Sequence, residues 1–380
     1  MAETVLLSGF IRGKQRYFCK GCKYHFTIHH ENRKTNNEIK RKRQTTIIDI
    51  AKAIGVSNST VSRALHDHPD ISVQTRSAIK ELAKKLDYQP NLLALSFSNR
   101  RTHTIGVIIP NLDSNFFASA LSGIQHVATQ SGYKVMICQS NESHKTEVAN
   151  VQTLMSNWIE GLIICHTKET ETFDHIRLQM QKGIPIIHFG RVCEEMETSR
   201  VLHDDIGGSF DITEHLVLQG YKRIAVVAGP KNLSITRRRL AGYLEALKKY
   251  NRPFNEQYVA YTDFTKESIL GAVDNWLVGK EKPDAIYSMS DRGAIYIMVR
   301  LKARKIRIPA QIAVAGFGND PMDEVIEPNL TSYNPHTFKV GAVAAQLFFD
   351  ELIAGEDYKP KTRVVKGELI IRASTVRKAN

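Results

Sequence analysis

Residues 45–72 read TTIIDIAKAIGVSNSTVSRALHDHPDIS, and the spacing of their apolar side chains predicts two short helices joined by a tight turn. Four apolar residues at intervals of three and four define one face of the first helix: Ile47, Ile50, Ala51 and Ile54. Gly55 permits the turn that follows, because glycine tolerates a positive φ. Ser57 is a suitable N-cap for a second helix that extends to Leu65.

The predicted second helix has an apolar face, with Val61 and Leu65 inward, and a polar outer face. The outer face carries Asn58, Ser59, Thr60, Ser62 and Arg63. A third helix over about residues 74–86 is expected to cover the pair through Ile79, Leu82 and Leu86. Such a helix-turn-helix fits the major groove of DNA, where short polar side chains and arginine reach base edges. A three-helix bundle without a ligand has the same periodicity, so spacing alone leaves both alternatives open.

The positive charge of the chain is concentrated in its first quarter. The net charge is +13; residues 1–103 hold 19 Lys and Arg against 8 Asp and Glu, whereas the remaining 277 residues hold 33 against 31. This asymmetry favours a head that binds a polyanion such as nucleic acid, attached to a nearly neutral body. The alternative, a solvated charged face, would spread the surplus more evenly.

From residue 104 onward, short apolar runs alternate with amphipathic segments. The runs are IGVIIP (105–110), YKVMIC (133–138), GLIIC (161–165), IPIIHF (184–189), RIAVVAG (223–229), DAIYSM (284–289) and IAVAGF (312–317). Runs that are apolar on both faces are typical of strands buried inside a parallel sheet. Because the runs fall into two groups, before and after about residue 200, the sequence predicts an α/β body with two parallel sheets.

Three stretches in a fixed order resemble the LacI/GalR family of bacterial transcription regulators: IIDIAKAIGVSNSTVSRAL (47–65), ISVQTRSAIKELAKKLDYQPN (71–91) and THTIGVIIP (102–110). The resemblance extends from about residue 45 to the C-terminus. It implies a multi-domain chain, with an all-α helix-turn-helix head and a hinge helix. An α/β two-lobed core with parallel sheets follows, similar to periplasmic sugar-binding proteins. The implied protein is a cytoplasmic, DNA-binding regulator that works as a homodimer, with a tetramer as the alternative.

The expected domains are a basic extension (1–44), the head (45–89), the hinge helix and linker (90–102) and the effector-binding and dimerisation core (103–380). Within the core, the N-lobe is expected at about 103–200 and 335–360, and the C-lobe at about 201–334 and 361–380. In such a protein, double-stranded operator DNA and a small-molecule effector are the partners. In most members of the family the outcome is repression released by an inducer, although others depend on a corepressor or activate.

The resemblance also implies roles for residues of the head and hinge. Asn58 and Ser59 would choose the base sequence, and Arg63 would reach a base edge. Phosphates or bases would be held by Ser57, Thr60 and Ser62. The DNA-contacting positions implied for the hinge helix are Asn91, Ala94 and Phe97. Phe97 occupies the position where the family usually has a leucine that wedges between base pairs; simple apolar packing between paired hinge helices is the alternative.

Effector-binding residues are expected after the strands of the core, since ligands of such folds bind at the carboxyl ends of parallel strands. The resemblance implies Phe116, Phe117, Arg191, Arg239, Phe264, Ser290, Asp291 and Asn319. Gly190 and Gly318 stand where the family often has aspartate, which leaves three alternatives. The first is that Asn319 and Asp320 take over the role of one missing carboxylate in binding ligand hydroxyls. The second is that the ligand carries fewer hydroxyls than usual, and the third is that effector response is lost. Structural roles are also open: lobe core for the phenylalanines, a surface salt bridge for Arg239 and a helix cap for Asp291.

The sequence contains no motif typical of an enzyme or of a membrane protein. It lacks GxxxxGK[ST], GxSxG, HExxH and a GxGxxG after a strand, and no stretch approaches the roughly 20 apolar residues of a membrane span. No secretory signal is visible, and five scattered cysteines do not form a disulfide framework. We therefore expect no catalytic activity and no cofactor. The rival functions are a solute-binding transport protein, a transposon-associated DNA-binding protein and a sugar-active enzyme on the α/β core.

The extension contains GKQRYFCKGCKYHFT (13–27), which resembles half of the zinc ribbon of IS1-type transposases. Cys19 and Cys22 form one CxxC pair, but a closed tetrahedral zinc site needs four ligands. His25, His29 and His30 are too near in sequence to complete it without strain. The two cysteines are thus only weak metal candidates, and we expect a disordered or weakly folded basic appendage.

Overall fold

The computed structural model describes residues 5–11, 14–20, 23, 25–27, 45–89 and 101–377. Within these ranges the chain forms three sheets and eleven α-helices. It divides into two compact units, residues 1–95 and 96–380. The expected hinge residues Asn91, Ala94 and Phe97 lie outside the described residues, as does Cys22.

The extension contains a small antiparallel sheet of three strands, β1 (Val5–Ile11), β2 (Lys14–Cys19) and β3 (His25–Thr27). The described strands are therefore not disordered, whereas the alternative of a weakly folded appendage stays a prediction. A shortage of metal ligands does not prevent a sheet, because strands that follow one another in a meander pair through their backbone amides. The rings of Phe18 and His25 lie 4.8 Å apart across the second pair of strands.

The head consists of α1 (Ile47–Ile54), α2 (Asn58–Leu65) and α3 (Val73–Lys85). Helix α1 begins with a capping box, in which Thr46 and Asp49 satisfy each other's backbone amides. The turn between α1 and α2 depends on Gly55, whose φ of 78° is unfavourable for residues with a Cβ atom. Ser57 caps α2 by accepting a hydrogen bond from the amide of Thr60, at 3.1 Å.

The centre of the head is apolar and small. Its buried residues are Ile50, Ala51, Val61, Ala64, Ile79 and Ala83. Leu65 and Leu82 are only half-buried at its edge. The prediction for Leu86 was wrong, because α3 ends at Lys85 and the Leu86 side chain is 37% exposed; Ala83 closes the core instead.

The core begins with alternating strands and helices. They are β4 (Thr104–Ile109), α4 (Asn115–Gln130), β5 (Lys134–Gln139), α5 (His144–Ser156), β6 (Gly161–Ile164), α6 (Asp174–Gln181), β7 (Ile186–Phe189) and β8 (Ser199–His203). The next elements are α7 (Asp205–Leu218), β9 (Ile224–Ala228), α8 (Ser234–Lys249), β10 (Val259–Tyr261), α9 (Lys266–Val278), β11 (Ala285–Ser288), α10 (Asp291–Ala303), β12 (Ala313–Phe317) and β13 (Thr331–Asn334). The last are α11 (Thr337–Ala354), β14 (Thr362–Val365) and β15 (Glu368–Ile370).

These strands form two six-stranded sheets, one in each lobe. The first has the order β14-β8-β7-β6-β4-β5 and is parallel throughout. The second has the order β10-β9-β11-β12-β13-β15, with β15 antiparallel at its edge. Most of the predicted apolar runs are central strands that are buried on both faces. The run at β5 is an edge strand, so Ile137 is 42% exposed.

The chain crosses between the lobes at positions that differ slightly from the expected boundaries. Strand β8 continues the first sheet through His203, beyond the expected end of the N-lobe near residue 200. Strand β14 also pairs in the first sheet, although residues from 361 onward were expected in the C-lobe. It is an edge strand with three exposed residues, so it lacks the continuous apolar run that marks a buried strand. No helix in the described part of the chain is long and apolar enough to cross a membrane.

Candidate functional site

The polar side of α2 is accessible for contact with another molecule. Ser57, Asn58, Ser59 and Arg63 are exposed, while Thr60 and Ser62 are half-buried. The hydroxyl of Ser57 contacts those of Ser59 and Thr60, at 2.7 and 2.8 Å. These contacts order the start of the helix and leave the Asn58 side chain in solvent.

Arg63 is held only loosely within the head. Its guanidinium lies 3.7 Å from the carboxylate of Asp70, and both side chains are more than half exposed. An exposed pair at this distance contributes little stability. The guanidinium is therefore able to exchange Asp70 for an external acceptor at low cost.

A cleft between the two lobes of the core has a volume of about 290 Å³. It is surrounded by loops that follow the carboxyl ends of strands in both sheets. Seven of the eight predicted effector residues line it: Phe116, Phe117, Arg191, Arg239, Phe264, Ser290 and Asp291. The rule that places ligands at the carboxyl ends of parallel strands accounts for this convergence.

Asn319 is the exception among the predicted residues. Its neighbours Gly318 and Asp320 line the cleft, but its side-chain oxygen accepts a hydrogen bond from Arg372 at 2.9 Å. Asn319 has a positive φ of 51°, and its backbone amide donates to Ser332. In this structure the side chain of Asn319 therefore does not line the cleft, because contacts to β13 and the C-terminal segment turn it away.

Arg239 is a buried part of the cleft wall, contrary to the alternative of a surface salt bridge. Its Nε donates to Asp205 Oδ1 at 2.8 Å, and its Nη1 donates to the carbonyl of Met289 at 2.5 Å. The guanidinium carbon also lies 3.6 Å from the centre of the Phe317 ring. These contacts fix the plane of the guanidinium and neutralise its charge.

Arg191 forms the corresponding pair on the first lobe. Its Nη1 donates to Glu142 Oε2 at 2.6 Å and to the carbonyl of His166 at 3.3 Å. Glu142 also accepts from the amide of Lys168. Arg191 and Arg239 thus each have a carboxylate partner, so the positive charges of these two side chains are compensated.

Of the two neighbouring phenylalanines of the first lobe, one belongs mainly to the lobe core and the other to the wall of the cleft. Phe117 is 5% exposed and belongs to the lobe core, whereas Phe116 is half-buried and contacts it edge to face, with ring centres 5.0 Å apart. Phe116 also lies 4.9 Å from the ring of His203. Phe264 faces the cleft from the second lobe with a positive φ of 66°.

His203 lines the cleft although the sequence did not mark it. Neither ring nitrogen has a hydrogen-bond partner among the described residues. Burial lowers the pKa of His203 to about 4, so the imidazole is neutral near pH 7 and offers one donor and one acceptor. His203 is the last residue of β8, so the strand-end rule would have found it if the polar strand SRVLH had been recognised.

Asp291 belongs to a group of buried carboxyls at the start of α10. It accepts hydrogen bonds from Ser332 Oγ at 2.6 Å and from the amide of Asp320 at 3.0 Å. Burial raises the pKa of Asp291, and burial together with the adjacent Asp291 charge raises that of Asp323. Ser290 is the N-cap of α10, because its side-chain oxygen accepts a hydrogen bond from the backbone amide of Gly293. Asp291 is therefore not the cap.

Gly318 leaves room for this carboxyl. A Cβ atom on Gly318 would lie 2.6 Å from Asp291 Oδ2, and the φ of 145° is one that other residues rarely adopt. The aspartate common at this position of the family is therefore incompatible with the backbone found here.

Further cleft residues were missed by the sequence prediction: Glu142, Lys168, Asp263, Arg292 and Phe317. All lie at or shortly after the end of a strand. Three of them bridge the lobes: Lys168 Nζ donates to the carbonyl of Asp263 at 3.2 Å, and Arg292 Nη2 to that of Asp113 at 2.5 Å. Because these bonds connect the two walls directly, the lobes are closed on one another.

Comparison with known proteins identifies the family of the chain. Residues 46–91 match the family described as bacterial regulatory proteins, lacI family. Residues 102–375 match the family of periplasmic binding proteins and the sugar binding domain of the LacI family. The chain belongs to the LacI family. It is a LacI-family transcription regulator with a ligand-binding core, as the resemblance implied.

Curated LacI-family relatives match along nearly their whole length. The HTH-type transcriptional repressor CytR of Escherichia coli strain K12 is 28% identical over 336 residues, which cover 88% of this chain and 98% of CytR. The HTH-type transcriptional regulator CelR of Thermobifida fusca is 29% identical over 343 residues, covering 88% of this chain and all of CelR.

Solved LacI-family structures agree with the fold. A complex of the transcriptional regulator CelR with cellobiose has a TM-score of 0.66 and 28% identity, covering 87% of this chain and all of that one. The lac repressor dimer bound to operator has a TM-score of 0.78 with 22% identity, covering 88% of this chain and all of that one. These matches confirm the helix-turn-helix head and the α/β core with parallel sheets.

Proposed function

We propose that this regulator is a repressor whose affinity for operator DNA is controlled by a small neutral ligand, sugar-like or nucleoside-like, bound in the cleft. The observation that carries the proposal is the cleft itself: two charge-neutralised arginines, an unpartnered buried histidine and aromatic rings around one cavity in a LacI-family chain. In this proposal the head binds the DNA and the core binds the ligand.

The cavity favours a ligand of modest size. Its volume of about 290 Å³ is at the low end of the ~300–1,000 Å³ typical of ligand pockets. A relative, CelR, has been solved with the disaccharide cellobiose. For this chain a monosaccharide or a nucleoside fits a cavity of about 290 Å³ better than a disaccharide does.

The chemistry of the walls favours a neutral ligand with a flat face. Arg191 and Arg239 are already paired with carboxylates, so at these two arginines a phosphate would have to compete with a half-buried and a buried ion pair, respectively. The ring of Phe116 offers an apolar surface on which a sugar ring or a base stacks. His203 and Ser290 would donate and accept hydrogen bonds with ligand hydroxyls or base edges.

In the head, Asn58, Ser59 and Arg63 would read bases. Ser57, Thr60 and Ser62 would hold the phosphate backbone or adjacent bases. Asn91, Ala94 and Phe97 would contact the centre of the operator from the hinge. Two copies of the chain would read the two halves of a near-palindromic operator in the cytoplasm.

Ligand control would act through lobe closure. The bonds from Lys168 to Asp263 and from Arg292 to Asp113 exist only when the walls meet. A ligand that bridges the same walls would stabilise the closed form relative to an open one. The ligand therefore shifts the equilibrium between the DNA-binding form and the released form only to the extent that it binds one form more tightly than the other.

The test combines operator selection with ligand screening. Genomic fragments bound by the purified full-length protein should share a near-palindromic site, and neighbouring genes would indicate a ligand class. Neutral sugars and nucleosides should then be screened by thermal shift, and a hit should change operator affinity. Enrichment of no common site would refute the DNA assignment.

His203→Phe is the matched variant for the cleft. The phenyl ring keeps the contact with Phe116 but removes both hydrogen-bonding nitrogens. We expect ligand affinity to fall at least ~10-fold while operator binding without ligand is unchanged, since one hydrogen bond to a buried group contributes about 1–3 kcal/mol. An unaltered ligand affinity would exclude His203 from the site.

A further inference from the structure

The first lobe contains a second group of polar side chains, apart from the residues that line the cleft. Glu147 is fully buried on α5. Its Oε1 lies 2.8 Å from His175 Nε2 and 3.1 Å from His166 Nδ1. His144, at the start of α5, packs edge to face on His175 with ring centres 5.1 Å apart. The regulatory mechanism proposed above uses none of these four residues.

The charge of Glu147 is the first reason to expect a cation here. No lysine or arginine in the described part of the chain lies within 4 Å of its carboxylate; its ion-pair partners are His166 and His175. A fully buried carboxylate is costly unless a positive charge compensates it. A metal ion or a proton on an imidazole would supply that charge.

The geometry distinguishes a metal site from a simple ion pair. One ligand atom each from His144, Glu147 and His175 lies within 4.8 Å of the other two. Ligand atoms around tetrahedral zinc are about 3.4 Å apart, given bond lengths near 2.0–2.1 Å. His144 and Glu147 are three residues apart on one face of α5, so their side chains are able to converge on one ion.

An orphaned nitrogen marks the third corner of the site. His144 Nδ1 is buried and has no hydrogen-bond partner among the described residues. Buried polar atoms without a partner are rare, and a bound ion is one of the few things that satisfy them. A metal bound between His144 and Glu147 would do so here.

The surrounding bonds prepare Glu147 to bind through one oxygen. Its Oε2 accepts from the amide of Thr167 at 2.9 Å and from Thr170 Oγ1 at 3.1 Å, so this oxygen is occupied. Among the residues that the structure describes, the hydrogen-bond partners of Oε1 are the imidazoles of His166 and His175. His166 in turn contacts His188 at 2.8 Å, which orients its ring. Hydrogen bonds of this kind orient ligands in known metal sites.

We propose that His144, Glu147 and His175 bind one divalent transition-metal ion, of which zinc is the best fit. Two imidazoles and one carboxylate are a ligand set typical of zinc and unsuited to magnesium or calcium, which prefer oxygen. Water or His166 would complete the coordination. Because Lys168 follows Thr167 and Glu142 lies two residues before His144, a bound metal would also stabilise the adjacent wall of the cleft.

The experiment is a titration of metal-stripped, full-length protein with Co²⁺, followed by competition with Zn²⁺. We expect one equivalent to bind, with visible absorption typical of nitrogen and oxygen ligands, and zinc to displace it. His144→Ala and His175→Ala should each weaken binding at least ~10-fold, since even residues that only orient ligands change metal affinity by about that much. His126→Ala, an exposed histidine of the same lobe, should bind as the unaltered protein does.

Two controls separate this site from metal binding by the extension and from misfolding of the variants. Cys19→Ser with Cys22→Ser should leave the titration unchanged; thiolate charge-transfer bands that disappear in this variant would place the metal in the extension and overturn the proposal. His144 is half-buried at a helix start, so its replacement should preserve the fold, as circular dichroism will verify. The site would also be refuted if the unaltered protein did not bind one equivalent of metal. Binding by His144→Ala or His175→Ala as tight as that of the unaltered protein would refute it as well.

Discussion

The head and the cleft obtain their functional side chains in opposite ways. In the head, the candidate DNA-reading residues Asn58, Ser59 and Arg63 come from one turn and a half of α2 and lie exposed. In the cleft, Arg239 and Asp291 are less than 10% exposed, and their partners come from distant parts of the chain. Head residues are therefore expected to be separable from stability, whereas cleft residues contribute to binding and folding together.

The largest effect is expected for Arg239→Ala. The change removes the partner of Asp205 and leaves a buried carboxylate uncompensated, which typically costs about 3–5 kcal/mol of unfolding free energy. Urea denaturation of the variant should show this loss. Arg239→Met combined with Asp205→Leu removes both charges and should recover most of it. If Arg239→Ala were as stable as the original protein, Arg239 would contribute no more to folding stability than Arg63 of the head is expected to.

Arg63→Ala is expected to have the converse outcome. Loss of one base contact should reduce operator affinity by about 1–3 kcal/mol, or roughly 5- to 150-fold, while the melting temperature stays the same. Asp70→Asn is the control, because it removes the ion-pair partner and keeps the guanidinium. Operator affinity should be measured by fluorescence anisotropy at fixed salt concentration. Unchanged affinity for Arg63→Ala would contradict the assignment of α2 as the reading helix.

The smallest effect concerns pH. Burial raises the pKa of Asp291, and burial with the Asp291 charge raises that of Asp323, from a usual value of 3.8. Above about pH 4 the folded state therefore holds more protons on this pair than the unfolded state, until the pair itself ionises. This contribution to stability is therefore full below pH 4 and is lost as the pH rises.

Asp323→Asn should flatten this dependence, because an amide does not titrate. Melting temperatures measured from pH 5 to 8 should fall less steeply for the variant than for the original protein. Asp350→Asn, which removes a carboxyl that is 36% exposed, should leave the slope as it is. Identical slopes for all three proteins would mean that the titration of Asp291 and Asp323 does not contribute to the pH dependence of stability, and that these buried carboxyls are as separable from folding as the residues of the head.

The same contrast explains which parts could be predicted. The helix-turn-helix is a local pattern: caps, a glycine turn and apolar spacing lie within one short segment, and α1 and α2 were found as expected. Buried central strands such as β6 and β9 were equally visible as apolar runs. The edge strand β14 was missed because an exposed strand needs no apolar face.

Amino-acid sequence alone therefore determined the family, the order of head and core, and most of the strand ends around the cleft. The tertiary structure decided the pairing: Arg239 with Asp205, Asn319 turned toward Arg372, and His175 beside Glu147. Local patterns arise from interactions within a few residues, and these the sequence displays directly. Pairing between distant residues depends on which strand ends and helix starts the packed sheets bring together, and burial then sets the charge and chemistry of the groups that meet there.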